Sequence, residues 1–395
     1  MRVLGVQVVA FFFLQGIPWG QFQEFFTDPL CPQDACFIPD CNCPSSYPPD
    51  GLPVDRTPQF IVLSFDDAVT DVTYPLYKEL LFQDGTPSKL NPNGCGIGTT
   101  FFLSHEFSNY QHVHDLHLRG YEIASHSISH RTPVTHWEDL PAADVALEMD
   151  GLRQIVAKFA NFNGSYIKGA RVPFLQTSGD EYYQALVENN FIYDASRPTR
   201  TLMDQGLWPF TYEVDYSESE FLDCQIEPCA KGPFPKFWQV PIVDLVDTNG
   251  TECAMLDQCD NRPETYDQAI ELLRNNFRRM YEESAGRSPL GLYTHASWFL
   301  GEWTHNFAAL NDFLDEVLTN YDDVWVVSVG ELIKWMQEPL PNDIMTSLDC
   351  DDPPPATDCA GLFCGPYFLD GEERNFVSCV ACPREYPWVG NPDGQ

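Results

Sequence analysis

Phe60-Ile61-Val62-Leu63-Ser64-Phe65-Asp66-Asp67 is an apolar run that stops on two adjacent acids. A short stretch of β-branched and aromatic residues of this kind reads as a buried strand. Neighbouring side chains at an extended strand end point to opposite sides. One acid is then free to act as a base while the other ligates a metal. Further along, His126-Ser127-Ile128-Ser129-His130 sets two imidazoles at i and i+4, neighbours if the segment makes a helical turn. One carboxylate and two imidazoles form a donor set suited to zinc with a position left open for water.

From this strand outward, extended and helical patterns alternate. Strand-like runs fall at 60–63, 99–103, 121–124, 166–170, 191–193, 237–243, 290–294 and 324–327. Helical patterns fall at 109–119, 137–161, 179–189, 264–284, 305–320 and 329–337. The alternation predicts a parallel α/β fold, most simply a distorted (β/α) barrel, whose chemistry gathers at the C-terminal strand ends. Asp66, Asp67, His126, Arg171 and His295 all fall at such ends.

The chain has 395 residues and a formal net charge of −36, from 58 acids against 22 bases. That excess, spread along the sequence, argues against nucleic acid and anionic membranes as partners. Residues 1–20 read as a signal peptide: Arg2 precedes a short apolar stretch ending near Pro18-Trp19-Gly20, too short for a stable span. The expectation is a secreted monomer without membrane insertion. Fourteen cysteines in such a chain imply about seven disulfides rather than zinc clusters. Residues 21–57 read as a Cys/Pro-rich arm, 58–338 as the catalytic domain and 339–395 as a Cys-rich tail that packs on it. Residues 200–262 read as a disulfide-braced insertion. Asn163 and Asn249 head glycosylation motifs.

Two further segments, Arg171-Val172-Pro173-Phe174 and Gly291-Leu292-Tyr293-Thr294-His295, complete a pattern with the acids and the histidine pair. The pattern resembles the polysaccharide deacetylases of carbohydrate esterase family four, the NodB-homology type, over roughly residues 58–337. Within that family the Cys-rich flanks, Trp238-Gln239-Val240-Pro241 and His295-Ala296-Ser297-Trp298-Phe299 look like the arthropod secreted chitin deacetylases, here without a chitin-binding module. The resemblance implies metal-dependent N-deacetylation of β-1,4-linked N-acetylglucosamine, on chitin or its oligosaccharides, giving chitosan and acetate. It implies Asp67, His126 and His130 as ligands of one zinc, with cobalt or another divalent ion as substitutes. It implies Asp66 as general base, Arg171 as the group that fixes Asp66, and His295 as the acid that protonates the departing nitrogen. A backbone N–H near Phe174 would stabilise the oxyanion. Phe174, Trp238, Trp298 and Phe299 would wall the acetyl group and sugar. The shorter group of such proteins points to the gut lumen or peritrophic matrix.

Bacterial members of the family orient the catalytic His through an Asp near a Trp. Gln239 follows Trp238 here, and no Asp stands beside it. That gap keeps an alternative open: a chitin-binding matrix protein with the deacetylase fold and little catalysis. A zincin protease is excluded, because no Glu follows His126. His112, His114 and His117 do not converge on one ion at helical spacing and read as surface or groove residues. Asp194 reads as structural.

Overall fold

The computed structural model describes residues 26–283 and 286–395; the expected signal peptide lies outside them. Nine strands form one sheet: β1 Gln59–Asp66, β2 Thr100–Leu103, β3 Glu122–Ser125, β4 Gly169–Ala170, β5 Tyr193–Asp194, β6 Phe210–Tyr212, β7 Phe234–Gln239, β8 Leu290–His295 and β9 Val324–Val327. The order is β8-β1-β2-β3-β4-β5-β7-β6, with β9 paired to the start of β1. All pairs are parallel except β6 with β7. The sheet curls into an incomplete barrel with helices outside, the α/β fold expected. The helices that matter below are α1 Tyr74–Leu81, α2 Tyr110–Leu118 and α3 Ala142–Phe159.

β1 shows why this sequence makes this fold. Every residue of it is buried, as a strand covered on both faces must be. Its two faces belong to different cores. Phe60 and Val62 pack inside the barrel with Phe102, Tyr193, Trp238, Tyr293 and Trp335. Ile61, Leu63 and Phe65 pack outward with Tyr77, Phe101, Phe299 and Phe313. The period of two continues through Ser64 to Asp66 and sends both to the interior side. Register then sets Asp66 beside His295 on β8.

Several elements differ from the sequence expectation. The 137–161 helix is broken: a short turn Thr135–Glu138 ends before Pro141, and α3 starts after it, because proline restricts the preceding residue and removes a donor. The 237–243 strand likewise divides at Pro241 into β7 and Ile242–Val243. The 166–170 strand shrinks to β4, since Asn163 caps a tight turn over Gly164–Tyr166. α1 and a C-terminal hairpin of β10 Leu362–Leu369 and β11 Glu372–Ser378 are not among the expected elements.

All fourteen cysteines are paired, as Cys31–Cys43, Cys36–Cys41, Cys95–Cys350, Cys224–Cys229, Cys253–Cys259, Cys359–Cys379 and Cys364–Cys382. The amino-terminal arm is also hydrogen-bonded to the β6 region, through Asn42 to Pro209 and Trp208 to Ser45. No helix among the described residues is long and apolar enough to cross a membrane.

Candidate functional site

Asp66 ends β1 and is 3% exposed. At Asp67 the chain turns to φ +79°, a left-handed conformation that Asp adopts more readily than most residues. Its N–H still bonds the Phe102 carbonyl at 3.0 Å. The reversal corrects the expected opposite splay of two strand neighbours. Both carboxylates instead approach one imidazole nitrogen: Asp66 Oδ2 lies 3.9 Å and Asp67 Oδ1 3.8 Å from His126 Nε2.

The two histidines do not lie on a helical turn. Residues 126–130 form an irregular loop with φ +74° at Ser127 and +42° at His130. The loop is held from α3. Glu148, 4% exposed, accepts the Ile128 and Ser129 N–H groups at 3.0 and 2.9 Å and the Ser129 hydroxyl at 2.6 Å. One turn along, Gly151 makes room for Ile128, whose Cδ1 would lie 2.8 Å from any added Cβ. His126 Nδ1 bonds the Arg171 carbonyl at 2.8 Å, so Nδ1 carries the proton and Nε2 presents its lone pair. Burial, with the neighbouring His130, pushes this imidazole down to about 3 and keeps it neutral. His130 Nε2 stands 3.4 Å from Asp67 Oδ1, with its ring edge-on to Phe174. Donor atoms of Asp67, His126 and His130 all lie within 4.8 Å of one another, which fits a single small cation.

Arg171 is fully buried, its guanidinium between the rings of Phe102 and Tyr293 at 4.0 and 4.5 Å. Its Nη1 donates to Asp66 Oδ1 at 2.7 Å and Ser64 Oγ at 3.0 Å, and its Nε to the Ala195 carbonyl at 2.7 Å. That carbonyl is itself positioned by Asp194, which accepts from Tyr182, Tyr183, Ser196 and Gln239. Gln239 is thus engaged with Asp194. From the neighbouring strand β8, His295 Nε2 lies 3.9 Å from Asp67 Oδ2. His295 Nδ1 bonds Asp257 Oδ2 at 2.8 Å. Burial pushes the His295 imidazole down. The hydrogen bond and charge of Asp257, with the carboxylates of Asp66 and Asp67, outweigh this and raise it to about 9.

Over 369 residues the chain is 37% identical to chitin deacetylase 8 of Bombyx mori, covering 92% of this chain and 93% of that protein. The chain belongs to the chitin deacetylase family. Chitin deacetylase 1 of the same insect is 32% identical over 390 residues, covering 93% of this chain and 69% of that protein. No protein-family profile matches the chain. Among solved structures, a putative polysaccharide deacetylase from Mycobacterium smegmatis covers 73% of this chain and 93% of its own at 20% identity and TM-score 0.45. The chitin deacetylase of Colletotrichum lindemuthianum covers 71% and 92% at 18% identity and TM-score 0.35.

The candidate site has two members that sequence reasoning missed, Asp257 and Glu148. Asp257 sits in a short turn Leu256–Gln258 closed by the Cys253–Cys259 disulfide. The close cysteine pair was the available signal. Of the four expected wall residues, Phe174 alone keeps an accessible ring, at φ +59°. Trp238, Trp298 and Phe299 are each 1% exposed, Trp238 inside the barrel and the other two in the outer core. Burial to that degree leaves no ring face for a sugar to cover. His114 and His117 are also buried rather than at the surface: His114 bonds the Ala160 and Thr357 carbonyls, and His117 stacks on Phe162. Asn163 and Asn249 are both exposed.

Proposed function

We propose that the chain is a secreted, zinc-dependent chitin deacetylase that hydrolyses N-acetyl groups of β-1,4-N-acetylglucosamine polymers. The observation that carries this is the convergence of Asp66 and His295 on the Asp67, His126 and His130 donor set, each 3.9 Å from one of its members. A divalent cation held by those three residues supplies Lewis acidity, which acidifies water and draws charge from an amide carbonyl. Arg171 fixes Asp66 with a charge-assisted hydrogen bond. Asp66 takes the proton from the attacking water, and His295 gives a proton to the departing glucosamine nitrogen, a poor leaving group unless protonated. Asp257 holds His295 in the tautomer with Nε2 towards the substrate. The Phe174 ring stands edge-on to His130, and a backbone N–H near Phe174 is the candidate for the oxyanion contact.

Asp257 is the partner of His295 whose apparent lack kept open the alternative of a matrix protein of little activity. Seven disulfides support an oxidising, extracellular location, and exposed Asn163 and Asn249 are candidate glycosylation sites there. A monomer in the gut lumen or peritrophic matrix is the setting we infer. The test is acetate release from soluble chitin oligomers with zinc, before and after chelation. Release that is absent, or indifferent to chelator, refutes the proposal, and faster turnover of acetylated xylan or peptidoglycan reassigns the substrate.

A further inference from the structure

The hairpin of β10 and β11 carries a face that no described residue covers. Side chains along a strand alternate between two sides. Cys364 and Phe376 form a cross-strand pair facing the protein, 1% and 3% exposed. Tyr367 also faces inward, its hydroxyl on the Pro383 carbonyl and its ring on Phe376. Between Cys364 and Tyr367 the register shifts by one residue. The bulge therefore brings Phe363 and Phe368 to the same outer face, where they are 66% and 74% exposed. Bulges re-aim side chains in this way. The two rings stand roughly 15 Å apart along the strand, a span that suits a polymer better than a single sugar.

The hairpin is fastened to the catalytic end of the barrel. Val377 bridges to Asn109, and Arg374 pairs with Glu106. This 104–109 segment follows β2, and the Asn109 N–H bonds the carbonyl of Val69, two residues beyond Asp67. The same segment exposes Phe107 at 70% with φ +69°. A bulky ring in the left-handed region is costly and is retained mainly where function uses it.

Charge selects the occupant. Glu373 lies opposite Phe368 on the outer face, while Glu372 is paired with Arg374. This border, on a chain of net charge −36, repels a second copy, nucleic acid and anionic lipid, and favours a neutral or cationic partner. A β-1,4-N-acetylglucosamine chain is neutral, offers apolar ring faces, and becomes cationic where deacetylated. We propose that Phe363 and Phe368, with Phe107, form an aromatic platform that holds the chitin chain at the catalytic end of the barrel. The proposal rests on the chitin deacetylase reading.

The test uses the full mature chain carrying Phe363→Ala and Phe368→Ala. Its depletion from solution by insoluble chitin is measured, together with kcat/KM for acetate release from short soluble oligomers. Because both rings are exposed, the fold is expected to survive. The expected result is a dissociation constant on insoluble chitin raised about tenfold or more, with kcat/KM on short oligomers changed less than about twofold. Unaltered depletion overturns the proposal. So does a wild-type dimer in light scattering that the substitutions dissociate, since that assigns the face to a second copy. Ring-dependent chitin binding by a wild-type protein that releases no acetate supports the platform and refutes the catalytic reading instead.

Discussion

Asp66 and Asp67 are adjacent in sequence, yet their surroundings assign them different work. Asp66 is buried on Arg171, whereas the Asp67 side chain is 45% exposed and faces both histidines. Asp66→Asn keeps an acceptor for Arg171 but no base. Its turnover should fall by about 10²-fold or more, with one zinc per chain still found by metal analysis; loss of the zinc would exchange the two roles. His295 is the second residue whose environment decides its chemistry. It is raised to about 9, so it is protonated below that pH and its acid function is lost as pH rises through it. A cation on Asp67 weakens the attraction from that carboxylate and leaves Asp257 as the main support. Asp257→Asn should lower kcat by about 10- to 100-fold and move the alkaline limb of the rate profile to lower pH. A limb that stays in place would remove Asp257 from the mechanism.

At the scale of elements, the histidine loop depends on a helix that contributes no ligand. Two loop N–H groups and one hydroxyl converge on Glu148 of α3. Glu148→Ala leaves those buried donors without a partner, at a cost of about 1–3 kcal/mol each. Zinc affinity, measured by competition with a chelating dye, should weaken by about 10- to 100-fold. Glu148→Gln retains one acceptor oxygen and should recover part of it. If both variants bind zinc normally and only melt earlier, the helix has no part in placing the ligands.

Across the whole molecule, one disulfide ties the carboxy-terminal tail to the barrel, while the others close within the arm, the tail or single loops. Cys95–Cys350 joins residues 255 apart in sequence and anchors the segment leading into the hairpin. Long closed loops restrict the unfolded chain most. Replacing both cysteines by Ser should reduce stability by on the order of 4 kcal/mol, read from denaturant unfolding, while kcat on soluble oligomers stays near wild type. A large loss of kcat would place the tail within the catalytic apparatus.

The sequence by itself determined the parts set by local pattern. The alternation in Phe60–Asp66, the strand ends at His126, Arg171 and His295, and the family motifs placed the barrel and named six residues that the fold gathers at one candidate site. They did so because period-two burial fixes which side of a strand each residue takes. The same local signal misread the helical turn at 126–130 and the opposite splay of Asp66 and Asp67, since positive φ at Asp67, Ser127 and His130 reflects constraints from neighbouring elements. Glu148 looks like any acid on an amphipathic helix, and Asp257 like any acid in a loop. Only the tertiary structure showed that both turn inward, one to bind a loop and one to orient His295. It also showed that Trp238, Trp298 and Phe299 are core. Burial and pairing between distant segments depend on how the sheet curls and which loops fold over it, and no short stretch of sequence carries that information.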